Sequence, residues 1–111
     1  MGRVLYLVTF RLRDTHRAAF LEAAAKELKP YWEAHGVDRF EVYDEIGPTG
    51  PTGRITQAYW FPSRDAYLAM QRLQDPRMPT QPYKWLFEPE YHVFDLVVPG
   101  PGGDSSPAAR A

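Results

Sequence analysis

Cysteine is absent from the 111 residues, which excludes disulfides, thiolate metal centres and a cysteine nucleophile together. Asparagine is absent as well, and isoleucine and lysine are scarce, while arginine, alanine, proline and glycine are plentiful. A thermophile avoiding labile residues would show part of this pattern. A GC-rich genome explains it equally well, and the retained glutamines favour the genome. No window approaches the run of roughly 18 apolar residues that a membrane span requires. The N-terminal MGRVLYLVTFRLRD lacks a small-residue cleavage site and alternates as a strand does, so no signal peptide is expected and the cytoplasm is the default location. An excess of one charge is missing too. Thirteen basic against fourteen acidic residues leave a net charge of −1, which gives no electrostatic reason to expect nucleic acid or an anionic membrane as partner.

What is present is one domain's worth of alternating and helical pattern, residues 1–98, followed by the Pro/Gly/Ser-rich stretch 99–111, expected to be a disordered tail. Arg3 to Arg13 reads as a strand with Val4, Tyr6, Val8, Phe10 and Leu12 on one face and Leu5, Leu7 and Thr9 on the other. Apolar residues on both faces predict a central strand covered on both sides. Asp14 or Thr15 is expected to cap a helix over roughly His16 to His35, with Phe20, Ala24, Leu28 and Tyr31 or Trp32 inward, a kink at Pro30 and a left-handed end at Gly36.

Val37 to Ile46 predicts an edge strand, and GPTGPTG (Gly47 to Gly53) a mobile hairpin loop. Arg54 to Phe61 predicts the third strand, stopped by Pro62; Ser63 then caps a second helix running to about Gln74. DPRMPTQPYKWLFEP (Asp75 to Pro89) has too many prolines for a long helix and too many aromatics for a solvated loop, so it is expected to be ordered and packed. Glu90 to Val98 predicts the last strand, apolar on both faces apart from His92 and Asp95.

The order βαββαβ predicts an α+β, ferredoxin-like fold: a four-stranded antiparallel sheet with two helices on one face. The first and third strands are expected to be central, and to run parallel. Two helices cover one face only, yet three strands carry apolar residues on both. The open face therefore predicts a second copy of the sheet as its cover, a homodimer closed into an α/β barrel.

Aligned with that order, Phe61-Pro62-Ser63-Arg64-Asp65-Ala66-Tyr67, an aromatic strand end leading into S-x-D-A-aromatic, resembles the dimeric α/β-barrel superfamily of the antibiotic-biosynthesis-monooxygenase type, and more loosely NIPSNAP-like domains. The resemblance covers about Arg3 to Val98. It implies a ligand between helices and sheet, and an activity among cofactor-free oxygenases, isomerases and ligand sensors. In the haem-degrading branch the implied triad is Asn, Trp and His. Here asparagine is absent, Phe61 stands at the Trp position and the His position falls near Gln71, which argues against haem degradation.

Among candidate site residues, His92 suits a general base, having an ordinary pKa near neutrality, although a core imidazole satisfied by a neighbour is the commoner case. Gln57 is set among Ile55, Tyr59 and Phe61, where a buried amide must find a partner. Tyr59, Trp60 and Tyr43 are candidates to shape a pocket, though at these spacings most aromatics are core. Asp95 interrupts an apolar face and is expected to pair with Arg11 or Thr9. No cofactor and no metal is expected, because no histidine has a ligand at metal spacing. GRITQAYWF lacks the RRM consensus, which removes an RNA-binding reading of the same topology. The sequence thus predicts a homodimer binding a small apolar or aromatic molecule, acting as a cofactor-independent monooxygenase or isomerase, with a non-catalytic binding or assembly module as the alternative.

Overall fold

The structure is a computed structural model and describes residues 2–99. The tail expected from 99 onward lies, but for Pro99, outside the described residues. Strand β1 (Val4–Arg11) leads into α1 (Asp14–Ala23), which continues through a π-helical turn (Ala24–Leu28) into α2 (Lys29–Glu33) as one rod. The hairpin β2 (Arg39–Gly47) and β3 (Gly50–Phe61) follows, then α3 (Arg64–Gln71), a 3-10 turn (Gln81–Trp85) and β4 (Phe87–Asp95). The sheet has the order β2-β3-β1-β4 and the plan is ferredoxin-like.

All neighbouring strands are antiparallel, including β1 and β3, which corrects the expectation that these two run parallel. The parallel pairs joined by helical crossovers are β1 with β2 and β3 with β4, each with one strand between them. The GPTGPTG stretch is no loose loop. It belongs largely to the hairpin, with Gly47 paired to Gly50 and β3 extending through Gly50, whose φ of 127° only glycine holds without strain.

Local rules explain the helices. Pro30 has no N–H to give and its ring would meet the carbonyl four residues back. The turn just before it is widened: the Lys29 N–H bonds to the Ala24 oxygen, five residues back, and the rod passes Pro30 without breaking. Gly36, at φ 99°, ends it, with the Val37 N–H returning to the Trp32 carbonyl as in a Schellman cap. At the other end Arg13, not Asp14 or Thr15, occupies the N-cap position, without a side-chain bond; Asp14 is instead the first helical residue. Ser63 caps α3 as expected, its Oγ accepting from the Ala66 N–H at 3.1 Å.

The sheet's helix-facing side carries Val4, Val8 and Phe10 from β1 and Ile55, Tyr59 and Phe61 from β3, packed on Phe20, Ala24, Leu28 and Trp32 of the rod. The rod buries its stripe completely, but α3 buries none of its residues fully. β4 differs from expectation in lying exposed along its whole length. It is an edge strand.

A candidate ligand cavity between helices and sheet

Because α3 is only eight residues long, the space it leaves is roofed by the chain that follows. Pro82 is fully buried there, and Tyr83, Trp85 and Leu86 pack onto the core, as the aromatics of this segment predict. A cavity of about 250 Å³ remains over the middle of the sheet. Its floor is Tyr6 and Val8 of β1, Gln57 and Tyr59 of β3 and Tyr91 of β4; its walls are Trp32, Met70, Tyr83 and Leu86. The register forces this floor, since Tyr6 lies opposite Tyr59 and Val93, and Val8 opposite Gln57 and Tyr91.

Two polar features face this otherwise apolar space. The first is a short chain of donors: the Trp32 Nε1–H donates to the Tyr83 hydroxyl at 3.2 Å, and that hydroxyl is 3.2 Å from the Tyr59 hydroxyl. One O–H of the two phenols is used between them, so the other remains to donate. The second is Gln57, 1 % exposed, whose Nε2 and Oε1 both lack a partner among the described residues.

The phenols are held neutral. Burial, reinforced by Tyr91 and Tyr67, pushes the Tyr6 pKa up to about 12. Burial raises Tyr59 well above its ordinary 10, with neighbouring Tyr83 adding to it, and burial also raises Tyr83. No carboxylate or imidazole lines the cavity.

The candidate residues therefore divide. Gln57 and Tyr59 meet in the cavity; His92, Trp60 and Tyr43 do not, which corrects the expectation of one shared pocket. His92 is paired with Leu7, one residue out of phase with the Val8–Tyr91 pair on the cavity floor, so it points to the opposite side of the sheet. There, in the single chain, its side chain is 56 % exposed and its ring stacks on Phe94. Trp60 is on that face too, held by Glu41 at 3.2 Å between the guanidinium groups of Arg3 and Arg39. The Tyr43 hydroxyl donates to the same Glu41 and the residue is half exposed.

Asp95 pairs with Arg64 at the start of α3, rather than with Arg11 or Thr9. Arg11 pairs instead with Glu88, and Thr9 with Thr56. Among the described residues no group of three or more acidic or histidine side chains gathers as a metal site would.

Tyr83, Met70 and Tyr91 are cavity residues that the alternation alone does not single out as a site. For Tyr83 a signal exists, an aromatic cluster in a proline-rich stretch, but its target on the sheet is a tertiary fact.

No family model matches the chain, and no curated protein matches it. Solved structures do. A NIPSNAP family protein of unknown function from Agrobacterium tumefaciens superposes with a TM-score of 0.67 at 19% identity, over 90% of this chain and 93% of its own. A Nitrosomonas europaea protein provisionally named an antibiotic biosynthesis monooxygenase gives 0.66 at 14% identity, over 89% and 95%. A dimeric ferredoxin-like protein from an uncultured marine organism gives 0.62 at 13% identity, over 90% and 92%. The fold is thus one that this chain shares with proteins named NIPSNAP family, antibiotic biosynthesis monooxygenase and dimeric ferredoxin-like.

Proposed function

We propose that the protein binds a small, flat, largely apolar molecule between helices and sheet, one molecule per chain of a homodimer joined through the open sheet face. The carrying observation is the cavity itself: aromatic and aliphatic walls with a buried, unpartnered carboxamide. A pocket lined by apolar groups with few polar ones is the usual form of a small-molecule site. At about 250 Å³ it falls just below the roughly 300–1,000 Å³ common for such sites, which suits one or two fused rings.

Binding is tested by titrating one- and two-ring aromatics against the full chain while following tryptophan fluorescence, since Trp32 forms a wall. Saturation at one ligand per chain is expected. Leu86→Trp, which fills the space, should abolish it while circular dichroism stays unchanged. Failure of every aromatic to saturate the wild-type protein overturns the reading.

A second reading, a cofactor-independent monooxygenase or isomerase, is favoured by the Trp32–Tyr83–Tyr59 chain, whose leftover phenolic hydrogen can serve an oxygen of the ligand. It shares its fold with the Nitrosomonas protein whose provisional name is a monooxygenase. Phenols with raised pKa values are acids, not bases, at neutral pH. The cavity thus supplies proton donation but nothing to abstract a proton, which is why binding leads and catalysis follows. Oxygen uptake with a panel of hydroquinones, slowed at least tenfold by Tyr83→Phe, is the result expected of an oxygenase. No uptake with any of them leaves the binding module.

His92, Trp60 and Tyr43 take a different role in this proposal. They belong to the face where the second chain docks.

A further inference from the structure

Resting on the ligand-binding reading of this cavity, we infer that its occupant carries a hydrogen-bond donor and an acceptor side by side, as a lactam or cis-amide edge does, and that Gln57 reads both. A buried amide head is costly unless both ends are paired. Other buried polar groups pair at least in part: Tyr83 with Trp32 and Tyr59, Thr9 with Thr56, while Arg3, His16 and Arg54 each leave a single nitrogen without a partner. Gln57 differs in that neither Nε2 nor Oε1 has a partner among the described residues; the residue lies in the cavity floor with both head atoms covered, so an occupant reaches them as the amide turns toward the space. Its register partners are Val8 and Val42, neither of which offers a side-chain polar atom.

A primary carboxamide presents one N–H and one carbonyl oxygen in a plane and on the same side. The edge that satisfies both at once has the same form reversed: a ring N–H beside a ring C=O. Two parallel hydrogen bonds then close, as between two amides. A quinone offers acceptors only and leaves Nε2 served but Oε1 unpaired. A ring nitrogen without a hydrogen does the same.

An ionised carboxylate also lacks the donor, and no cation among the lining residues would offset burying its charge. A site built on a buried polar pair rejects analogues that leave half of it unpaired. Tyr6, Tyr59 and Trp32 give the flat ring its aromatic contacts.

Calorimetry on the full chain tests this with four two-ring probes of similar size: 2-quinolinone, which has the donor–acceptor edge, quinoline, 1,4-naphthoquinone and 2-naphthol. We expect 2-quinolinone to bind at least tenfold more tightly than quinoline or the naphthoquinone. We expect Gln57→Met, close to isosteric, to shrink that ratio below threefold, chiefly through weaker binding of 2-quinolinone. Gln57→Leu serves as the second variant. Equal affinities for 2-quinolinone and quinoline overturn the inference and leave the binding reading standing, as does a preference that survives both substitutions. No saturable binding of any probe overturns both.

Discussion

Gln57 sets stability against use within one side chain. Its amide is buried without a partner in the protein, so replacing it by an apolar residue of the same length removes a desolvation cost. Gln57→Met is therefore expected to raise stability by about 1–3 kcal/mol, the range for relieving an unsatisfied buried polar group. A urea midpoint that moves upward at unchanged slope would show it; a lower midpoint would mean the amide is satisfied within the fold. The cavity phenols give a pH dependence of definite sign. Tyr6 titrates at about 12 in the folded chain against an ordinary 10, so between those values the unfolded chain releases a proton that the folded chain keeps. Stability is then intact below pH 10 and falls as pH rises toward 12. The tyrosinate absorbance of the folded protein should accordingly rise late for Tyr6, and a folded-state midpoint near 10 for all seven tyrosines would contradict it. At this scale the sequence was legible in part. Alternation places Gln57 with Tyr59 and apart from Trp60, but it cannot rank the two faces, because β1 is apolar on both. His92 looks like a pocket residue for that reason, and only the strand register sends it to the other side.

The elements differ in how firmly they are held, and the cavity lies where they are held least. The rod from Asp14 to Glu33 buries Phe20, Ala24, Leu28 and Trp32, whereas α3 is eight residues long and buries none fully. An isolated helix of that length has no stability of its own in water. Its start is fixed by the Ser63 Oγ on the Ala66 N–H, with Asp65 in the first turn where the dipole favours a negative charge. Ser63→Ala should cost about 1 kcal/mol. Since Met70 of α3 is a cavity wall, hydrogen exchange over 64–71 should quicken more than over 14–33, and affinity for an aromatic ligand should fall with it. Uniform quickening across both helices would mean that α3 does not open separately. The caps and breakers behind these elements, Ser63, Gly36 and Pro62, act through their immediate neighbours and can be read from the sequence. The π turn before Pro30 cannot, because a kink and a widened turn relieve the same clash. Nor can the 3-10 strap, since where Tyr83 lands depends on the sheet beneath it.

At the scale of the molecule the open face of the sheet is the unfinished part. Leu5 lies between Trp60 and Phe94, and Leu7 between Ala58 and His92, so an apolar strip crosses β3, β1 and β4. Charged pairs border it, Arg11 with Glu88 and Arg54 with Glu90 at one end, Arg3 with Asp38 at the other. An apolar centre within a charged rim is the anatomy of a protein interface rather than of a solvated sheet. A two-fold axis through it lets each strip cover the other, with the two sheets stacked about 10 Å apart. One substitution separates this face from the cavity. Leu7 points to the open face while its neighbour Val8 lines the cavity, so Leu7→Arg places an unpaired charge in the proposed interface and leaves the ligand site alone. Light scattering should find twice the chain mass for the wild-type protein and a single chain for Leu7→Arg, with aromatic binding kept within about threefold, a change under 1 kcal/mol. A wild-type protein of single-chain mass in dilute solution would defeat the dimer. A Leu7→Arg protein that stays paired would move the contact to another surface, most directly the exposed Tyr91 and Val93 of β4 on the helix side.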